Sequence, residues 1–235
     1  MEPRVILETD EVVALDKPAG LIVHSDGRTN EPSLAEWLAK ERPECKGVGE
    51  AWVSPQGERI EVNGIVHRLD RSTSGVILAA KSNEMFAYLR SEFKAKRVQK
   101  EYRAIVYGAI ADSGEIVAEI ARTSVAPRRW YAKPCERSDV RAAITEWRLI
   151  QRLDNASYIA VTPRTGRTHQ IRVHLASIGY PLVADHLYAP EIPPRFGFTR
   201  PALHALRISF AKDGATYEAT APLPPDFRGC GLIEQ

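Results

Sequence analysis

A chain of 235 residues is long enough to bury a sizeable core, as one large domain or two small ones. With 44% hydrophobic and 26% charged residues and a net charge of only +2, global charge identifies no nucleic-acid partner, so a local basic patch would have to recognise one. No apolar run spans a bilayer, the start Met1-Glu2-Pro3-Arg4 lacks a secretory core, and Cys45, Cys135 and Cys230 form no CxxC pair; a cytoplasmic chain with no membrane association, disulfide framework or zinc site is expected.

In chain order, Val5-Ile6-Leu7 and the apolar residues 12–15 flank Glu8-Thr9-Asp10-Glu11 and read as an opening β-hairpin. Asp16-Lys17-Pro18-Ala19-Gly20 breaks the strand, because Pro18 has no amide to donate and Gly20 permits a sharp turn. Ser33-Leu34-Ala35-Glu36 is a capping box, with Leu34, Trp37 and Leu38 giving a short amphipathic helix behind it. Residues 42–61 are polar and punctuated by Gly and Pro, and are expected as loop.

The stretch Asn63-Gly64-Ile65-Val66-His67-Arg68-Leu69-Asp70-Arg71-Ser72-Thr73-Ser74-Gly75 concentrates a carboxylate, two guanidiniums, an imidazole and three hydroxyls. It runs directly into Val76-Ile77-Leu78-Ala79-Ala80, a buried-strand pattern, and a loop held by a core strand can fix side chains for chemistry. From residue types alone, a polar turn with a solvated Asp70 fits equally well. Ser82 then caps a helix whose Met85, Phe86, Leu89 and Phe93 share one side. Lys94, Lys96, Arg97 and Lys100 suit its C-terminal end, which is favoured over a dedicated RNA contact.

Residues 102–110 and 116–120 read as strands. Between residues 122 and 141 lies an irregular basic segment in which Arg128 and Arg129 precede Trp130 and Tyr131. Such a mixture suits a loop that follows a phosphate backbone and stacks on bases, and equally a plain surface loop. Residues 142–149 and 158–161 read as paired strands turning at Asp154-Asn155. In Arg164-Thr165-Gly166-Arg167-Thr168-His169-Gln170-Ile171-Arg172-Val173-His174, Thr168 is expected to cap a helix buried through Ile171, Leu175 and Ile178 and ended at Gly179. Arg164 and Arg167 precede its start, where amides and the dipole favour anions. His169 and His174 are five apart, not the four of a shared metal-binding face, so no metal is expected. Residues 188–201 read as a mobile loop, and Asp213-Gly214 marks a closing hairpin. With strands outnumbering helices, an α+β architecture is expected: a large mixed, mainly antiparallel sheet flanked by helices and loops.

Four segments, in this order, resemble the signatures of the RluA-type RNA pseudouridine synthases. Asp16-Lys17-Pro18-Ala19-Gly20-Leu21 is similar to NKPxGL, with Asp16 replacing the usual Asn. His67-Arg68-Leu69-Asp70-Arg71-Ser72-Thr73-Ser74-Gly75 is similar to HRLDxxTSG. Lys100-Glu101-Tyr102-Arg103-Ala104 is similar to KxYxA, and the stretch from Gly166 to His174 to GR[ST]HQ[IL]RxH. The resemblance implies one catalytic domain over residues 1–235. With no S4-like domain before the first motif, the chain resembles the short members of the family.

It further implies conversion of a uridine within ribosomal or transfer RNA to pseudouridine, without cofactor or metal, by a monomer. Asp70 matches the catalytic aspartate, Arg172 its basic partner, and Tyr102 the tyrosine against the target uracil. Arg68 matches the residue that fills the gap left by the flipped base. Arg128, Arg129, Arg164 and Arg167 are additional candidates for phosphate contact. Whether Asp70 attacks covalently or removes a ribose proton stays open. The alternative is a non-catalytic RNA-binding or RNA-folding protein on the same scaffold, to which Asp70, Tyr102 and Arg172 would contribute nothing. A glycosidase acting on free sugars ranks last, since no second carboxylate stands in a comparable motif.

Overall fold

The computed structural model describes residues 2–25, 31–123, 129–136, 139 and 141–232. In chain order the elements are β1 (Arg4–Glu8), β2 (Val12–Lys17), α1 (Leu34–Glu41), a 3-10 turn (Pro43–Cys45), β3 (Trp52–Val53), β4 (Arg59–Ile60), β5 (Ser74–Ala80), α2 (Asn83–Lys94), β6 (Gln99–Tyr107), β7 (Ser113–Arg122), β8 (Trp130–Pro134), β9 (Ala142–Leu153), β10 (Ala156–Pro163), α3 (Gln170–Ser177), β11 (Leu203–Lys212), β12 (Ala215–Thr220) and α4 (Pro225–Arg228). This is the expected α+β class, strand-rich with few helices. The residues group into two compact units, Met1–Val98 with Arg207–Pro222, and Gln99–Leu206 with Leu223–Gln235.

In the first unit the opening hairpin forms as its pattern requires, with Arg4 opposite Asp16. β2 pairs antiparallel with β5 from Val12↔Ala80 to Lys17↔Gly75. Every residue of β5 is buried, because α2 covers one face. Met85 and Leu89 of that helix pack with Val76, Leu78 and Ala80 of β5 and with Ile208 and Phe210 of β11. Both expected helix starts are present. The Ser33 hydroxyl accepts from the Glu36 amide at 3.2 Å while the Glu36 carboxylate accepts from the Ser33 amide at 2.8 Å, and the Ser82 hydroxyl accepts from the Met85 amide. β11 and β12 turn at Asp213 and Gly214, both at positive φ, as a two-residue hairpin turn demands. The 42–61 segment differs from its reading as loop: it holds the 3-10 turn and the small β3–β4 hairpin.

In the second unit β6, β10, β9, β7 and β8 lie in that order, with antiparallel pairing from β6 through β8. The pleat sends alternate residues to opposite sides. Ala104, Val106, Ile159 and Val161 face Ile171 and Leu175 of α3. Ile105, Tyr107 and Tyr158 face Val183, Phe198 and Phe227. Both sides are therefore apolar, and the strands read as near-continuous hydrophobic runs. The basic segment expected to be irregular contains β8, whose Tyr131 and Lys133 stand opposite Ala121 and Glu119. Basic side chains obscure this strand in the sequence because only Ala132 of β8 packs toward the core. Residues 188–201 form no strand or helix but are packed: Phe198 is buried, and Arg200 makes a bidentate pair with Asp226 at 2.7 and 3.1 Å. Among the described residues no helix is long and apolar enough to cross a membrane.

Candidate active site

In the first unit, Asp70 and Arg68 sit on one loop, half-exposed and exposed respectively, between buried neighbours Val66, Leu69, Thr73 and Ser74. Asn63 begins it at φ 47°, its side chain donating to the Ala35 carbonyl at 2.9 Å and accepting from the Gly47 amide at 3.1 Å. Gly64 follows at φ 81°, where a Cβ would lie 2.1 Å from the Ala80 carbonyl oxygen, so no side chain fits against β5. Beyond Arg68 the Thr73 amide donates to the Asp70 carbonyl at 3.1 Å and closes a turn around the carboxylate-bearing residue.

That turn is held from below by the Asp16-Lys17-Pro18-Ala19-Gly20 segment. The Gly20 amide donates to the Arg71 carbonyl at 2.8 Å. Lys17, with no exposed surface, donates from Nζ to the carbonyls of Pro18, Leu21 and Arg71 at 2.9, 2.8 and 3.2 Å. An ammonium has three donors, and all three are used. Sequence reasoning missed this role for Lys17; its position between a strand and a Pro-Gly turn was the available signal. Burial raises the Asp16 carboxyl, partly offset by Arg4. Burial, aided by the neighbouring Arg68 guanidinium, pulls the His24 imidazole down to about 4.

In the second unit Tyr102 is half-buried on β6 opposite Val161, with its ring against the Ala104 and Ile171 cluster. Lys100, two residues earlier on the same face, donates to the Thr165 carbonyl at 3.2 Å, and burial lowers it to about 8. Arg172 is buried on α3. Its Nε and Nη2 make a bidentate pair with Asp185, both bonds 2.8 Å, and its guanidinium lies 5.1 Å from the Tyr188 ring centroid. Asp185 has no exposed surface and also accepts from the amides of Leu187 and Tyr188 at 3.1 and 3.3 Å. The Tyr188 hydroxyl is 2.9 Å from His169 Nδ1. Asp185 and Tyr188 therefore orient the motif arginine, and neither was singled out from sequence, since each lies in a loop with no distinguishing neighbours.

The start of α3 differs from expectation. Thr168 does not cap it; His169 occupies the cap position at φ 55°, and its side chain makes no capping hydrogen bond to the helix. The Gln170 amide group takes over by using all its hydrogen-bonding capacity: Nε2 donates to the Ile144 carbonyl and Thr145 hydroxyl at 2.9 and 3.0 Å, and Oε1 accepts from the Thr165 hydroxyl and Arg167 amide at 2.7 and 3.0 Å. Ile178, expected to be buried, is exposed at the helix end. Of the expected phosphate contacts, Arg167 is exposed, whereas Arg164 is paired with Glu146 at 2.8 and 3.0 Å and bonded to Gln99. The Arg129 amide donates to the Thr123 hydroxyl beside β8, and Arg128 lies outside the described residues.

Residues 11–177 match the family model described as RNA pseudouridylate synthase. The chain is 33% identical over 240 residues to the ribosomal large subunit pseudouridine synthase D of Pseudomonas aeruginosa, an alignment covering 97% of this chain and 70% of that protein. To the protein of the same name from Xanthomonas campestris pv. campestris it is 35% identical, covering 95% and 67%. Among solved structures, human RNA pseudouridylate synthase domain containing 1 shares the fold, with a TM-score of 0.73 and 23% identity over 95% of this chain and 84% of that one.

Proposed function

The chain belongs to the RNA pseudouridylate synthase family, and from that premise we propose that it isomerises specific uridines in structured ribosomal or transfer RNA, with Asp70 as the reacting carboxylate. It is an RNA pseudouridine synthase, an isomerase. The observation that carries the assignment of Asp70 is the anchoring of its loop: a turn closed on its own carbonyl, bound to β5, and tied through Arg71 to the buried Lys17. A side chain so placed loses little further freedom on meeting its substrate. The match over residues 11–177 runs through both compact units, which supports reading them as one catalytic domain.

In this reading the uracil leaves C1′ of the ribose, turns in the site and rejoins through C5. Asp70 either attacks covalently or takes a ribose proton. By motif, Arg172 corresponds to the basic partner of the family's aspartate, and Asp185 sets the direction of its guanidinium. Tyr102 stacks on the target uracil. Arg68, exposed beside Asp70, occupies the gap in the RNA stack. Arg167, Arg128 and Arg129 contact phosphates, and Arg164 joins them by exchanging Glu146 for RNA. The relatives named for the large ribosomal subunit support ribosomal RNA as the first substrate to test. We place a monomer in the cytoplasm, with its RNA.

The test is tritium release from RNA carrying C5-tritiated uridine. Wild-type protein releases tritium. Asp70→Asn melts at the same temperature, binds RNA within about twofold, and is slower by at least about 10³-fold. Release at the wild-type rate from Asp70→Asn would remove Asp70 from the chemistry. RNA binding without release by either protein would favour a binding or folding role.

A further inference from the structure

We infer that His67 is a positioning residue for the loop that carries Asp70, acting through an unprotonated Nε2 that stands in for a strand carbonyl; this rests on the reading of Asp70 as the reacting carboxylate. Residues 64–66 run antiparallel to the end of β5, with Ile65 opposite Ala79. The Ala80 amide donates to the Gly64 carbonyl at 2.8 Å, and the Val66 amide to the Leu78 carbonyl at 3.4 Å. In a regular ladder the Leu78 amide would return the second bond to the Val66 carbonyl. It does not. Leu78 donates to His67 Nε2 at 3.0 Å, and the Val66 carbonyl accepts from Arg90 Nη1 of α2 at 3.2 Å. One ladder bond has been exchanged for two side-chain bonds, and both backbone groups remain satisfied.

The exchange occurs where the chain must leave β5. A continued ladder would hold residues 67–70 flat along the strand. Ending it on an imidazole lets Arg68 and Asp70 turn away while Leu78 keeps a partner. The ring is held in turn against Phe93 of α2, with centroids 4.9 Å apart and planes at 30°. His67 anchors one end of the loop; the Thr73–Asp70 bond and the Lys17–Arg71 bond hold the other. A nitrogen that accepts from an amide carries no proton, so the geometry requires the neutral Nδ1–H tautomer.

Long-range nitrogen–proton NMR spectra of the intact protein at neutral pH are expected to show His67 with Nε2 unprotonated and the Leu78 amide slow to exchange. His67→Phe keeps a ring against Phe93 but removes the acceptor. It is expected to lower kcat by about 10- to 100-fold with KM for RNA within about twofold, and to speed Leu78 exchange at least about tenfold. His67→Gln, which places an acceptor near the Nε2 position, recovers kcat to within about threefold of wild type. A protonated Nε2, or wild-type kcat in His67→Phe, overturns the inference. If His67→Phe does not fold, the wild-type tautomer and His67→Gln decide it. A wild-type protein that makes no pseudouridine would instead remove the isomerase reading, and the tautomer with Leu78 exchange would still decide the anchoring.

Discussion

A lysine with no exposed surface persists only when its ammonium is fully hydrogen-bonded, and Lys17 meets that condition with three carbonyls. Two of them belong to the turn after β2 and the third to the loop of Asp70. Lys17→Met keeps the length of the side chain and leaves those carbonyls short of a donor. It is expected to lower unfolding free energy by roughly 2–4 kcal/mol in urea titration. A loss below about 0.5 kcal/mol, within the range of ordinary surface substitutions, would show that the carbonyls find other partners. Asp70 could be proposed from the sequence because its neighbours form a recognisable string. Lys17, Asp185 and Tyr188 could not, because their roles depend on backbone groups and partners that only the folded chain brings together.

At the scale of elements, α3 shows where local pattern reasoning stops. Its apolar spacing identifies a helix, yet its start is set by the buried polar network of Gln170, Thr145 and Thr165, whose members come from β9, the turn after β10, and α3 itself. Buried His174 extends the network, with Nδ1 3.0 Å from the Thr145 hydroxyl. Burial holds this histidine down at about 4, the Ala118 carbonyl working the other way. Its folded-state pKa thus lies below the unfolded value of about 6.5. The stabilisation is fully present above that value and is lost as pH falls from about 6.5 through 4, to a total on the order of 3 kcal/mol. His24 shares the window with the same sign. In urea titrations across this range, His174→Gln is expected to show a shallower pH dependence than wild type. An unchanged slope would mean that His174 takes up its proton without cost. β8 escaped sequence reading for a related reason: its outward Tyr131 and Lys133 mark it as polar, while its strand character comes from pairing with β7.

At the scale of the whole molecule, hairpins were the legible part, because β1–β2, β9–β10 and β11–β12 each join neighbouring segments through a short turn. The placement of β11 beside β5 was not, since those strands are far apart in sequence and no local signal pairs them. The ordered motifs supply what periodicity cannot: they are the basis on which we propose one chemistry for the residues of the Asp70 loop, the strand of Tyr102 and the helix of Arg172. The most direct test of that chemistry is single-nucleotide pseudouridine mapping of total RNA from source cells with and without this protein. The expected result is the loss of one or a few defined pseudouridines, restored by the wild-type chain and not by Asp70→Asn. Identical maps in the two cell populations would contradict it.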